Sequence, residues 1–164
     1  MDPNEFTQGL TRETTIRRDA DGRWFQDDIL LQHPKLTRAF DTWLAVADDG
    51  RYCLKNDVNW AYVTIEGAPL FVRSVRIEKD AVWIHLSDDR DEELAPASLR
   101  LGPDGALYCT SSKQGMAARF ERNPMLQLEP IIGEDEQGVF ICVEGKRWRP
   151  PMVQDGCSPI KRSG

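Results

Sequence analysis

The chain has 164 residues, 40% of them hydrophobic and 29% charged, the balance of an ordinary globular protein of one domain or two small packed units rather than a disordered one. A net charge of −6, with basic residues spread along the length, argues against a nucleic-acid partner. No apolar run is long enough to cross a bilayer, and Met1-Asp2-Pro3-Asn4-Glu5 lacks the basic start of a secretion signal, so a cytoplasmic protein with no membrane partner is expected.

Residues 1–14 carry no apolar period and read as a flexible arm. Thr15-Ile16-Arg17-Arg18 suggests a short strand, and the turn Asp19-Ala20-Asp21-Gly22 leads into a second strand at 23–25. Pro34 then opens a helix, at a position where its missing N–H costs nothing. Leu36, Ala39, Phe40, Trp43, Leu44 and Ala47 recur at three- and four-residue spacing. That stripe predicts one long helix ending at Asp48-Asp49-Gly50, with Lys35, Arg38 and Asp41 turned to solvent.

Strands are predicted over 51–54, 60–66, 70–78 and 81–86. Ala61, Val63 and Ile65 share one face and Tyr62 and Thr64 the other, and Val82, Ile84 and Leu86 repeat the alternation. Period-two patterning with short turns predicts an antiparallel meander with one solvated face. The run Ser87-Asp88-Asp89-Arg90-Asp91-Glu92-Glu93 reads as a solvated acidic loop, because its spacing matches no calcium loop. A strand at 106–110, an ambiguous segment at 113–121 and a short helix opened by Asn123-Pro124 follow. A hairpin around Glu144-Gly145 closes the sequence before a tail expected to be disordered.

The two halves echo each other. Asp21-Gly22-Arg23-Trp24 and Asp104-Gly105-Ala106-Leu107-Tyr108 each precede an apolar-periodic stretch and a glycine-led strand, at Gly50 and at Gly138. Repetition of small units that bury little alone predicts an α+β fold of two related modules with antiparallel sheets, the long helix lying in the first. The expected organisation is an arm at 1–14, a module at 15–86, a charged linker at 87–103, a second module at 104–150 and a tail at 151–164.

Catalytic motifs are missing. The cysteines at 53, 109, 142 and 157 have no metal or redox spacing and read as structural thiols, although a bond between Cys142 and Cys157 is conceivable. His33 and His85 have no carboxylate or thiol at ligand spacing. Thr110-Ser111-Ser112-Lys113 misses a Ser-x-x-Lys nucleophile, and no phosphate-binding glycine loop occurs. No catalytic residue, metal or cofactor is expected. Trp60 and Tyr62 form an aromatic face that, with Arg73 or Arg76 nearby, could stack a planar or anionic ligand; the alternative is that the aromatics cover the helix or the module seam. Arg119 and Arg122, three apart, could grip a carboxylate or phosphate if helical, or pair with neighbouring acids.

One family shares this order of features. Arg18-Asp19-Ala20-Asp21-Gly22-Arg23-Trp24-Phe25, the helix around 36–44, Asp49-Gly50-Arg51-Tyr52-Cys53-Leu54 and Val63-Thr64-Ile65-Glu66-Gly67-Ala68-Pro69-Leu70 follow one another. Leu107-Tyr108 and Gly115-Met116-Ala117-Ala118-Arg119-Phe120-Glu121-Arg122 extend the match. Over residues 15–132 the chain resembles domain-of-unknown-function family 1285, a bacterial family. The resemblance implies tandem α+β modules and a role in ligand binding or signal transduction, with no catalytic residue. The chain departs from the family at Asn56-Asp57-Val58-Asn59, at Gly67 where an acidic residue is favoured, and at Leu70 where an aromatic is favoured.

Together these features predict a non-enzymatic module that binds a small molecule or a protein partner, possible ligand contacts being Lys55, Asn56, Trp60, Arg73, Arg119 and Arg122 in a groove between modules. An enzyme using Asp57, Glu66 or Asp89 without metal, and a structural homodimer with an exposed apolar edge, are the competing expectations.

Overall fold

Tight turns, many with Asp, Lys or Gly in the left-handed region, set the architecture. The computed structural model describes residues 12–157, which fall into two units dividing at Gly67 and Ala68. The expected arm and tail therefore lie outside the described residues for 1–11 and 158–164.

The first unit runs β1 (Arg17–Arg18), β2 (Trp24–Gln26), β3 (Ile29–Leu30), α1 (Pro34–Trp43), β4 (Leu44–Val46), β5 (Tyr52–Lys55), β6 (Trp60–Tyr62) and β7 (Thr64–Ile65). β1 and β2 form the expected hairpin, with Arg18 opposite Trp24. Its turn is held by the Asp19 carboxylate, which accepts from the backbone N–H of Asp21 at 3.1 Å and of Arg23 at 2.8 Å. β3 was not expected; Asp27 and Asp28 both adopt positive φ (52° and 62°), the primed turn that folds a third strand back onto β2.

The helix is shorter than its apolar stripe. It stops at Trp43, and Leu44 turns extended (φ −60°, ψ 128°) to open β4, pairing Leu44 with Leu54 and Val46 with Tyr52. The Asp48-Asp49-Gly50 signal marks this hairpin's turn, not a helix end. Asp41 is the second correction: it is buried rather than solvent-facing. The expected strand over 60–66 divides as well. β6 pairs antiparallel with β5, whereas β7 pairs parallel with β1. Ile16, Trp24, Phe40, Leu44, Leu54 and Val63 form the core of this unit.

The second unit contains β8 (Leu70–Glu78), β9 (Ala81–Leu86), β10 (Asp91–Glu93), β11 (Arg100–Leu101), β12 (Leu107–Thr110), β13 (Ala117–Phe120), α2 (Arg122–Gln127), β14 (Ile132–Asp135), β15 (Gly138–Val143) and β16 (Lys146–Trp148). One sheet has the order β10-β9-β8-β13-β12-β11, the other β14-β15-β16. β8 and β9 thus belong to this unit rather than to the first. The parallel pairing of β13 with β8 interrupts what period-two patterning suggested was a purely antiparallel meander.

The acidic run is structured, not a solvated loop. Asp88 is buried and pairs with Arg90 at 2.6 Å, and 91–93 form an edge strand on β9. The described part of the tail is also tied down. Val153 donates to the Leu101 carbonyl at 2.8 Å, and the buried Arg100 donates from Nε to the Gly156 carbonyl at 2.8 Å.

The echo survives as element order. Three strands, a helix and a three-stranded antiparallel sheet run from β1 to β6 and again from β11 to β16. The fold is α+β, mostly strand, with two α-helices among the described residues.

Candidate functional site

The first unit holds a pocket of about 390 Å³ lined by Ile16, Gln26, Leu36, Phe40, Trp43, Leu54, Asn56, Asn59, Trp60 and Ala61. One wall comes from α1 through Leu36, Phe40 and Trp43. Phe40 and Leu54 are buried core residues, while Leu36, one turn before Phe40 on α1, is exposed. Phe40 packs edge-on against Trp24 with centroids 5.4 Å apart and tilted against Trp43 at 6.1 Å. The wall formed by α1 is therefore largely aromatic. The size suits a small organic ligand.

The opposite wall is the turn between β5 and β6. Asn56 Oδ1 accepts from the backbone N–H of Val58 and of Asn59, each at 2.9 Å, an Asx turn that fixes the loop. Asn59 Oδ1 accepts from the Trp60 N–H at 2.9 Å. Trp60 stands edge-on to Tyr62 at 5.0 Å, on the face opposite buried Ala61.

Two arginines stack on these aromatics, and neither is Arg73 or Arg76. The Arg12 guanidinium lies 4.5 Å from the Trp60 ring centre, donates to the Trp60 carbonyl at 2.6 Å and also donates to Asn59 Oδ1. Arg51 lies 3.7 Å from the Tyr62 ring centre and is paired with Glu13 at 2.6 Å. Tyr62 donates its hydroxyl to Asp49 at 2.6 Å; that bond raises the Tyr62 pKa and lowers that of Asp49. Segment 12–14, read from sequence as part of the arm, is thus fastened to β6: the Tyr62 N–H donates to the Arg12 carbonyl and Thr14 Oγ1 donates to the Tyr62 carbonyl at 2.6 Å.

Of the residues expected to bind ligand, Asn56 and Trp60 line this pocket, and Lys55 is the exposed register partner of Trp60. Arg73, Arg119 and Arg122 belong to the second unit. Arg73 pairs with Glu121 at 3.5 Å, and Arg119 with Asp104 at 3.1 Å. Arg119 lies on β13 and Arg122 opens α2, so the two do not share a helix face. Arg76 lies 5.9 Å from the Trp83 ring centre. Sequence reasoning missed Gln26, Leu36, Asn59 and Arg12; the asparagine pair flanking Asp57-Val58 was the one available signal.

His85 does sit beside carboxylates, contrary to the reading from spacing. Its Nδ1 is 2.7 Å from Asp91 and its Nε2 3.2 Å from Asp89, because β10 folds back along β9. No cluster of three or more metal-ligating side chains occurs among the described residues. The four cysteines are free thiols, and burial pushes Cys109 up to about 12.

No protein-family model matches the chain, and no curated protein matches it. Two solved structures share its fold. A DUF1285 family protein from Silicibacter pomeroyi DSS-3 matches with a TM-score of 0.66 at 15% identity, over 87% of this chain and 80% of the other. A DUF1285 family protein from Shewanella baltica OS155 matches with a TM-score of 0.53 at 21% identity, over 66% of this chain and 85% of the other. The resemblance read from sequence is therefore present in the fold: the chain is an α+β protein built like these DUF1285 structures.

Proposed function

We propose that the protein is a binding module whose first unit takes up a small, largely apolar molecule in the pocket between α1 and the β5–β6 turn. The observation that carries this reading is the pocket itself. Its walls are hydrocarbon and aromatic, with three side-chain amides, from Gln26, Asn56 and Asn59. Apolar walls with a few placed polar groups are the usual composition of a ligand site. None of the lining side chains is a nucleophile or a general acid or base, which favours binding over catalysis. Four free thiols fit a reducing cytoplasm, and no described helix is long and apolar enough to cross a membrane. A ligand-responsive part in bacterial signalling is the cellular role this reading supports.

N-phenylnaphthylamine, a neutral dye that brightens in apolar surroundings, tests the reading. The proposal expects saturable one-to-one binding to the wild type. Leu36→Trp, on the exposed side of α1, should block the pocket without disturbing the core and abolish binding. Undiminished dye binding to that variant would refute the placement.

A further inference from the structure

We infer that the ligand is an amphipathic monocarboxylate whose apolar body fills the pocket and whose carboxylate is held by Arg12. This rests on the pocket reading above and names the ligand class for it. Arg12 packs on two of the lining residues, stacking on the Trp60 ring at 4.5 Å and donating from Nη1 both to the Trp60 carbonyl and to Asn59. Those bonds use one terminal nitrogen. The Nε–Nη2 edge has no hydrogen-bond partner among the described residues, and no described carboxylate pairs with this guanidinium, whereas Arg17, Arg23, Arg51, Arg73, Arg76, Arg90, Arg119, Arg147 and Arg149 each have one.

An arginine presents its planar Nε–Nη2 edge as a two-pronged donor that matches a carboxylate. Here the guanidinium is already oriented by Asn59 and by the ring beneath it, so little rotamer freedom remains to be lost on binding. Arg12 is half-buried beside the lining residues Trp60 and Asn59, which strengthens the pairing relative to open water. The aromatic lining from Phe40 and Trp43 suits an aliphatic or aryl body, and the Gln26 and Asn56 amides are further polar groups in the same lining.

Displacement of N-phenylnaphthylamine by decanoate and by decanol, matched in chain length, separates the charge from the apolar body. The inference expects decanoate to displace the dye roughly tenfold or more better than decanol from the wild type, as a charge-assisted pair should. Arg12→Gln should remove that advantage while leaving decanol unchanged. Arg12→Lys, which keeps the charge and loses the planar edge, should retain only part of it. Equal displacement by the two compounds, or an advantage that persists in Arg12→Gln, overturns the carboxylate assignment and leaves the pocket reading standing. Failure of the dye itself to bind the wild type overturns both.

Discussion

Trp24 donates its indole N–H to Asp41 at 2.8 Å inside the first unit. Asp41 also faces the Arg18 guanidinium at 3.4 Å, and both side chains are nearly inaccessible, at 9% and 1% exposure. One carboxylate on α1 thus joins the helix to both strands of the β1–β2 hairpin. Removing one partner of a buried pair leaves the other charge without compensation, which costs far more than an exposed pair contributes. Asp41→Ala should destabilise the protein by about 3–5 kcal/mol, read by urea denaturation, and Asp41→Asn, which can still accept from Trp24, should cost less.

Gly67 packs against the backbone of Ala20, where an added Cβ would lie 2.9 Å from the Ala20 Cα. Backbone cannot swing aside as a side-chain tip can. Gly67→Ala should cost about 1–3 kcal/mol, the range for overpacking, measured as a lowered melting temperature.

Asp135 on β14 is gripped by Arg149 and by Arg147. The hydrogen bond from Arg149, against desolvation and aided by those from the Gln137 N–H and Arg147, lowers its pKa from 3.8 to about 2. A depressed carboxylate stabilises the fold fully above its unfolded pKa. As pH falls below 3.8 the unfolded chain takes up the proton first, and the contribution fades until the folded carboxyl is protonated near pH 2. Thermal melts from pH 6 to about 2 should show the wild type losing stability faster than Asp135→Asn over that window.

Thiol reactivity follows burial and the thiolate fraction. Cys53 and Cys109 are 2% and 0% exposed, and the Cys109 thiol is held near 12. Both should resist an aromatic disulfide reagent in the native protein and react only after denaturation. Half-buried Cys142 should label first, ahead of Cys157, whose pKa is raised by burial. Mass spectrometry of quenched samples gives the order.

What was legible from sequence tracks what is local. The β1–β2, β8–β9 and β15–β16 hairpins rest on turn residues and on alternation such as Val82, Ile84 and Leu86, and all three are present. The end of α1 was not legible, because Leu44 and Ala47 continue a helical spacing by coincidence. What decides there is pairing with β5, ten residues away at Leu54. Asp41 reads as solvated by charge, since nothing local reveals the buried Arg18 that partners it; Asp88 reads so too, because its burial, unlike its partner Arg90 two residues on, leaves no mark in the run. In the pocket, Trp60 and Asn56 stood out by type, but Arg12 is brought to Trp60 by chain reversal across 48 positions. No period or motif encodes such a meeting.

The most direct measurement is a two-dimensional amide NMR titration of labelled protein with N-phenylnaphthylamine. Saturable shifts confined to the indole N–H signals of Trp43 and Trp60, the side-chain amides of Gln26, Asn56 and Asn59, and their neighbours are predicted. Shifts that fail to saturate, or that fall only on residues of the second unit, would contradict the account.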